Sequence, residues 1–223
     1  MDKMTDHDTP GDLDHVVTET PAEGVPEADP TTPERIVAAA ARCFYRDGIY
    51  STGVDALAAE AGISKRTLYN HFPSKDGVIA AYLRQREEQW QDKLHGIWEE
   101  VGDDPALQVV AYVRGYAHPV EDEVFRGSAF INAAAELSDS EHEALGVIQE
   151  SMKHMEDGLE RILATAGVRD AAAVATRILY LVEGAVAVGG VRRDESCLRD
   201  AEYFIELLLE ECGLSVEAVR AAS

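Results

Sequence analysis

Residues 44–76 read FYRDGIYSTGVDALAAEAGISKRTLYNHFPSKD, and the local signals in this stretch decide the fold. Thr52-Gly53-Val54-Asp55 has the form of a capping box, which predicts a short helix over residues 54–61. Gly62 can adopt the positive φ of a tight turn, and Ser64 then predicts the start of a second short helix over 65–70. Two short helices joined through a glycine are typical of a helix-turn-helix motif, whose second helix enters the DNA major groove.

The chain on either side of this motif also has the spacing of helices. Thr32 and Pro33 predict the start of a first helix, which ends at Gly48. No run shows the period-two alternation of a strand, so the sequence predicts an all-α fold. Apolar residues at steps of three and four predict the other helices, over residues 73–101, 105–118, 141–166, 171–191 and 195–212.

The composition excludes several classes of protein. The chain has 223 residues, of which 46% are hydrophobic and 28% charged, so it is neither wholly disordered nor collagen-like. Its net charge of −22 excludes a general attraction to nucleic acid. The excess of acidic residues is absent from residues 33–83, which have a net charge of +1, whereas residues 1–32 have a net charge of −8. Any contact with nucleic acid is therefore expected to be local, and the proline-rich residues 1–30 are predicted to be a disordered acidic tail.

Cysteine usage and hydropathy favour a cytoplasmic protein. Cys43, Cys197 and Cys212 are widely spaced, which argues against a disulfide framework or a zinc site and suits a reducing compartment. The N-terminus lacks the features of a secretory signal. The apolar stretch Ile178–Val191 falls short of the ~20 residues that span a bilayer, so we expect a buried helix and no membrane contact. The sequence predicts no cofactor and no metal.

The second helix of the motif begins with the chemistry that DNA recognition needs. Lys65 and Arg66 lie in its first turn, where an ammonium or guanidinium group can donate to guanine O6 and N7. The neighbouring polar side chains suit phosphate oxygens, and the free N–H groups beside Thr52 can hold another phosphate. The predicted DNA-binding residues are Thr52, Ser64, Lys65, Arg66, Thr67, Tyr69, Asn70, His71 and Lys75.

Several of these residues also carry a resemblance to a known family. A signature follows the Phe-x-x-x-Gly helix end at Phe44 and consists of Gly62-Ile63-Ser64, Leu68-Tyr69, His71-Phe72 and Ser74-Lys75-Asp76 in one register. With this signature the chain resembles the TetR/AcrR family of bacterial transcriptional regulators over residues 33–83. Residues 125–136, which read FRGSAFINAAAE, resemble the C-terminal domain of one of its subgroups.

The resemblance implies a domain organisation and a function. It implies an N-terminal three-helix helix-turn-helix DNA-binding domain followed by a larger helical ligand-binding and dimerisation domain. We expect residues 1–30 to be a tail, 31–78 the DNA-binding domain and 79–223 the effector-binding and dimerisation domain. The family implies a homodimer, formed here by the last two helices over about 171–191 and 195–212, that binds a palindromic operator. The usual mode is repression, with release of the double-stranded operator DNA by a small-molecule effector.

An effector pocket needs apolar walls and a few converging polar groups. Asn132 and Glu136 are the preferred polar candidates, because they lie one turn apart on an otherwise apolar helix. A hydrogen bond between helices explains these two residues equally well, and core packing explains each apolar candidate. The predicted effector-binding residues are Trp98, Tyr112, Tyr116, Phe125, Phe130, Asn132, Glu136, Met152, Met155, Tyr180 and Glu183.

Two other classes of function compete with this interpretation. Glu136, His142 and His154 could form a metal site of an enzyme, but the sequence has no HExxH, GxSxG or Gly-rich phosphate motif. We therefore expect no catalytic residues. Architectural DNA-binding proteins are usually strongly basic, which disagrees with the acidic composition of this chain.

Overall fold

The computed structural model describes residues 30–117, 125–194 and 196–221, and of residues 116 and 117 it describes the backbone only. The described residues form ten α-helices and no strand, which confirms the predicted all-α class. The predicted tail lies outside the described residues apart from Pro30. The helices are α1 (Thr32–Asp47), α2 (Val54–Glu60), α3 (Lys65–His71), α4 (Lys75–Val101), α5 (Pro105–Ala117), α6 (Ala129–Glu136), α7 (Glu143–Thr165), α8 (Ala171–Arg192), α9 (Ser196–Glu211) and α10 (Glu217–Ala221).

Helix α1 begins one residue earlier than its sequence signals predict. Its N-cap is Thr31 rather than Thr32, and Glu34 completes a capping box with it. The backbone N–H of Thr31 donates to Glu34 Oε2 at 2.6 Å. The pairing satisfies donors that a helix start leaves without partners, and it lowers the pKa of the Glu34 carboxyl through these hydrogen bonds.

Helix α4 begins at Lys75 rather than at Pro73, because Ser74 is its N-cap. The Ser74 hydroxyl accepts the backbone N–H of Gly77 at 3.1 Å. With 27 residues, the helix spans about 40 Å at the usual rise per residue. It therefore reaches from the helix-turn-helix far into the rest of the molecule. The short helix α10 has no counterpart in the sequence prediction.

The start of α4 belongs to a first cluster of buried residues, which we call the N-terminal core. It contains Leu57 of α2 and Leu68 of α3, both fully buried, together with residues of α1. Phe130 of α6 and Ile148 of α7 lie in the same cluster. The helix-turn-helix is therefore packed against α6 and the first turns of α7, although the sequence predicts these segments to be part of the other domain.

The second half of α4 belongs to another cluster, which we call the C-terminal core. Trp90 and Leu94 of α4 pack there with Tyr112 of α5, Leu159 of α7 and Ile178 of α8. Helices α9 and α10 close this core from the other side. Helix α4 is thus shared by both cores, and the predicted boundary after residue 78 falls inside it.

Helix α8 supplies apolar residues to the C-terminal core. Val174, Ile178, Val182 and Val186 recur at steps of four and are buried there, which agrees with the predicted buried helix. The helix of 22 residues is longer than the apolar stretch seen in the sequence. By length and composition alone it would suffice to cross a membrane. Because the face that carries these residues packs against α7 and α9, we assign the helix to the protein core.

The shared N-terminal core makes a prediction about stability. Phe130 of α6 is 5% exposed in this core, so Phe130→Ala leaves a cavity and lowers the free energy of unfolding by about 3–5 kcal/mol. Chemical denaturation followed by circular dichroism measures the change. Ile131→Ala is the matched control, because Ile131 is 39% exposed and its loss costs less than about 1 kcal/mol. Equal losses from the two variants would contradict the shared core.

Candidate nucleic-acid interface

Helices α2 and α3 are joined by a turn that holds them in fixed geometry. Gly62 adopts φ +65 there, a conformation that costs little only for glycine. The Arg35 guanidinium of α1 donates to Ala61 O at 2.7 Å and to Gly62 O at 3.3 Å. These carbonyls follow the end of α2 and lack partners within the helix. Arg35 therefore fixes the turn to α1, a role that no local sequence signal indicates.

Helix α3 presents one face to the core and the other to solvent. Leu68 is fully buried in the N-terminal core and anchors the helix. At the start of α3 the Ser64 hydroxyl accepts the backbone N–H of Thr67 at 3.0 Å, as the sequence predicts. The side chains that point to solvent include five predicted DNA-binding residues, Lys65, Arg66, Tyr69, Asn70 and His71.

Most basic side chains near this face already have an acceptor. Lys65 Nζ lies 3.1 Å from an Asp55 carboxylate oxygen, and Arg42 Nε lies 2.8 Å from Glu60 Oε1. These pairs are exposed, so each contributes only about 0–1 kcal/mol and a DNA phosphate can displace it. Within residues 31–83, all of which the structure describes, Arg66 is the one lysine or arginine for which we find no acceptor. Its guanidinium is thus free to meet a base edge or a phosphate.

Two predicted phosphate contacts, buried Thr52 and half-buried Lys75, are instead hydrogen-bonded within the protein. Thr52 is buried, and its hydroxyl donates to Gly48 O at 2.7 Å rather than capping α2, whose N-cap is Gly53. The Lys75 ammonium donates to Ile49 O at 2.5 Å. Burial lowers the pKa of Lys75, and the charge of Glu136 acts in the opposite direction. Both side chains support the α1–α2 turn.

The structure brings together some of the predicted effector-binding residues. Tyr112 and Met155 are buried in the C-terminal core, and Trp98, Phe125 and Met152 pack against it. Burial of the phenol raises the pKa of Tyr112, and the charges of Glu87 and Glu183 act in the same direction. The side chain of Tyr116 lies outside the described residues.

Other predicted effector-binding residues lie elsewhere. Phe130 is in the N-terminal core, and Tyr180 is 71% exposed on the outer face of α8. Asn132 Nδ2 donates to Arg126 O at 3.0 Å. Glu136 accepts the backbone N–H groups of Ile49 and Tyr50 at the α1–α2 turn. The geometry therefore does not place Asn132 and Glu136 with the aromatic walls of the C-terminal core.

The residues of a possible metal site are also separated. His142 caps α7 through the N–H of Ala144, and its Nε2 lies 3.3 Å from Asp76 Oδ1. His154 Nδ1 lies 3.2 Å from Glu87 Oε1 on α4. In the part of the chain that the structure describes, no group of three or more His, Cys, Asp or Glu side chains could hold a metal ion.

Comparisons with known proteins identify both parts of the chain. Residues 36–82 match the family described as "Bacterial regulatory proteins, tetR family". Residues 105–203 match the family described as "Transcriptional regulator LmrA/YxaF-like, C-terminal domain". The first match covers the helix-turn-helix and the start of α4, and the second extends from α5 into α9.

Curated relatives and solved structures agree with these matches. The HTH-type transcriptional regulator LmrA of Bacillus subtilis is 32% identical over 82 residues, which are 36% of this chain and 43% of LmrA. The segments that align with three curated relatives, LmrA among them, span only 27–43% of the length of those proteins. SCO4454, a TetR-family transcriptional regulator from Streptomyces coelicolor, is 30% identical with a TM-score of 0.75, over 81% of this chain and 95% of that one.

Another solved structure of similar fold contains a small molecule. It is a transcriptional regulator from Saccharomonospora viridis in complex with choline. The identity is 21% with a TM-score of 0.66, over 80% of this chain and 95% of the other. At this identity the likeness shows the fold alone.

The exposed first turn of α3 makes a prediction about DNA recognition. Arg66→Ala is expected to relax the preference for one base and to cost about 1–3 kcal/mol of binding free energy on the preferred sequence. Fluorescence anisotropy on a set of single-base operator variants measures this. Arg66→Lys keeps the charge but loses the forked donors, so it serves as the control that separates base reading from attraction to phosphate. A uniform loss across all variants would assign Arg66 to the backbone instead.

Proposed function

The chain belongs to the TetR family of bacterial regulatory proteins, and we propose that it is a repressor whose operator complex is released by a small-molecule effector. Membership makes it a helix-turn-helix DNA-binding transcriptional regulator and not an enzyme. We place its action in the cytoplasm, where bacterial DNA lies.

The single observation that carries the proposal is the arrangement of α3. Its buried Leu68 fixes the helix to the core while Arg66 faces solvent without an acceptor among the described residues. A local cation on a fixed helix in a chain of net charge −22 supports site-specific binding over general attraction to DNA. We propose that Lys65, Arg66, Tyr69, Asn70 and His71 contact the operator and that Thr52, Ser64, Thr67 and Lys75 hold the motif in position.

We further propose that a second copy of the chain covers the outer face of α8 and α9. Tyr180 is 71% exposed, Phe204 54% and Leu207 41%, so apolar side chains of both helices face solvent together. They line an open groove of about 540 Å³. Exposed apolar patches of this kind mark interaction sites, and the family's dimers are expected to use the last two long helices. The groove residues are Arg177, Tyr180, Leu181, Phe204, Leu207, Leu208 and Glu211.

We propose that the effector binds inside the C-terminal core, beside Tyr112. Trp90 packs edge-on against Tyr112 with ring centroids 5.1 Å apart. Glu87 on α4 accepts a hydrogen bond from the Ser151 hydroxyl. Burial raises the pKa of Tyr112, and the charges of Glu87 and Glu183 act in the same direction. Aromatic walls with a few polar groups are typical of small-molecule sites. A neighbour of the same fold, the regulator from Saccharomonospora viridis, has been solved in complex with the small molecule choline.

The test of the proposed function begins with DNA. The purified full chain selects fragments from a random pool, and sedimentation gives the mass of the complex. We expect a palindromic sequence bound by two chains, and transcription from a reporter carrying it is expected to fall when the protein is present. A non-palindromic sequence, or activation of the reporter, would contradict the proposal.

The exposed face of α8 and α9 predicts the effect of a charge placed there. Phe204→Glu puts a carboxylate in the groove, so the two-chain complex is expected to dissociate and operator affinity to fall at least about tenfold. Sedimentation and anisotropy measure the two effects. Gln149→Glu adds the same charge on the exposed surface of α7 and is expected to change neither quantity. A Phe204→Glu protein that remains a dimer would remove this face from the interface.

The interior site predicts variants that separate effector binding from DNA binding. Tyr112→Phe removes one buried hydroxyl with little change in shape, and Glu183→Gln removes one charge. Both proteins are expected to bind the operator as the wild type does, while release requires about tenfold more effector. Compounds that release the wild type from its selected DNA provide the titrant, and Glu150→Gln on exposed α7 is the control. Unchanged titrations for both variants would move the site elsewhere.

A further inference from the structure

An aspartate and a lysine form an ion pair between the two helices of the helix-turn-helix. Asp55 lies in the first turn of α2, and Lys65 is the first residue of α3. The Lys65 ammonium lies 3.1 Å from each of the two carboxylate oxygens of Asp55. The pair is open to solvent, with 51% of the Lys65 side chain and 81% of the Asp55 side chain exposed. The cation at the start of α3 is therefore in contact with an anion before any DNA binds.

The position of Asp55 is unfavourable for binding DNA in general. Its carboxylate is in contact with a lysine that we propose to meet the operator, and DNA phosphates repel a negative charge placed there. Helices α2 and α3 with their turn, residues 54–71, contain two acidic and two basic residues and have no net charge. Replacing Asp55 by asparagine would give this segment a net charge of +1.

The fold of the motif does not depend on this ion pair. Leu57 of α2 and Leu68 of α3 are both fully buried, and the Arg35 guanidinium holds the turn between the helices. An exposed ion pair adds little to these contacts. A carboxylate in the first turn of α2 also suits the helix dipole, but that effect acts on stability and not on the choice of DNA sequence. The contact between Asp55 and Lys65 therefore points to a part in DNA binding.

We propose that Asp55 is a specificity-determining residue, which holds the Lys65 ammonium in place for a base edge and lowers its binding to phosphates. An ammonium has three N–H donors, so Lys65 can remain with Asp55 and donate to guanine O6 or N7 at the same time. A phosphate binds the ammonium fully only when the pair with Asp55 breaks, and the carboxylate then repels it. The pair thus lowers affinity for other sequences more than affinity for the operator.

The inference rests on the proposed contact of Lys65 with the operator and adds a second residue to it. Asp55 belongs to α2, and the sequence gives no local signal for its role because Lys65 lies ten residues further along the chain. The role also has a measurable signature. A carboxylate that keeps an ammonium from phosphates reduces the number of counterions that DNA binding releases, and the dependence of affinity on salt reports that number.

The first experiment compares two kinds of DNA. Fluorescence anisotropy of the full chain, over a series of salt concentrations, gives the affinity for the DNA that the wild type selects and for a shuffled duplex of equal composition. In Asp55→Asn we expect affinity for the shuffled duplex to rise about fivefold and affinity for the selected DNA to rise less. The number of ions released on the shuffled duplex is expected to rise by about one per bound chain. Asp55→Glu keeps the charge and is expected to retain most of the wild-type ratio of the two affinities.

An ion pair on α7 supplies the matched control. Lys153 Nζ lies 2.8 Å from Asp157 Oδ1 and 2.7 Å from Oδ2, and 71% of the lysine and 44% of the aspartate side chain are exposed. Asp157→Asn removes the same charge and the same kind of partner from a lysine outside the helix-turn-helix. We expect it to keep the affinity ratio and the salt dependence of the wild type. Equal changes in Asp55→Asn and Asp157→Asn would show that net charge alone acts, and would overturn the proposal.

A double-mutant cycle tests whether Asp55 acts through Lys65. Lys65→Gln removes the ammonium and keeps a polar side chain. In this background Asp55→Asn has no cation to release to a phosphate, so we expect the number of released ions to stay constant. The same increase as in the wild-type background would show that the carboxylate only repels DNA, and would overturn the holding role. A lower Tm of Asp55→Asn with unchanged affinities and salt dependence would leave only the helix-dipole effect, and would overturn it equally.

The outcomes also separate this inference from the proposed function. A wild-type protein that selects no DNA sequence contradicts both. A wild-type protein that selects an operator, with an Asp55→Asn variant of the same affinity ratio and salt dependence, contradicts the role of Asp55 alone.

Discussion

The DNA-binding part of this protein depends on holding a helix that is too short to be stable alone. Helix α3 has seven residues, and isolated helices of that length do not persist in water. Its order comes from the burial of Leu68, from the Ser64 cap and from Arg35, which fixes the preceding turn. The exposed face of α3 can therefore be varied for recognition, whereas the buried face and the turn cannot.

The same constraint explains why the N-terminal core extends beyond the helix-turn-helix. One helix of 16 residues and two helices of seven bury little apolar surface, and small domains are correspondingly marginal. Here Phe130 and Ile148 enlarge the core, and α4 continues from this core into the C-terminal one. The two cores are therefore connected through the packed side chains of α4.

Local signals predicted the fold, because helix starts and turns are encoded within a few residues. Ser64 and Gly62 have the roles that the sequence assigned to them, and the all-α class follows from the spacing of apolar residues. The sequence could not place Lys75 or Glu136, since their partners lie 26 and 86 or 87 residues away along the chain. Nor could it place Tyr180, because periodicity alone does not tell which of two apolar helix faces is turned inward.

The ion pairs on the helix-turn-helix have a consequence for how the protein finds its site. Lys65 and Arg42 are partly neutralised by Asp55 and Glu60, and the chain as a whole has a net charge of −22. Bulk chromosomal DNA offers an enormous excess of wrong sequences, and occupancy of the right one depends on the ratio of the two affinities. A weakly attractive surface lowers the affinity for wrong sequences, so fewer copies of the protein are sequestered along the chromosome. A modest number of molecules per cell is then enough to keep one operator occupied.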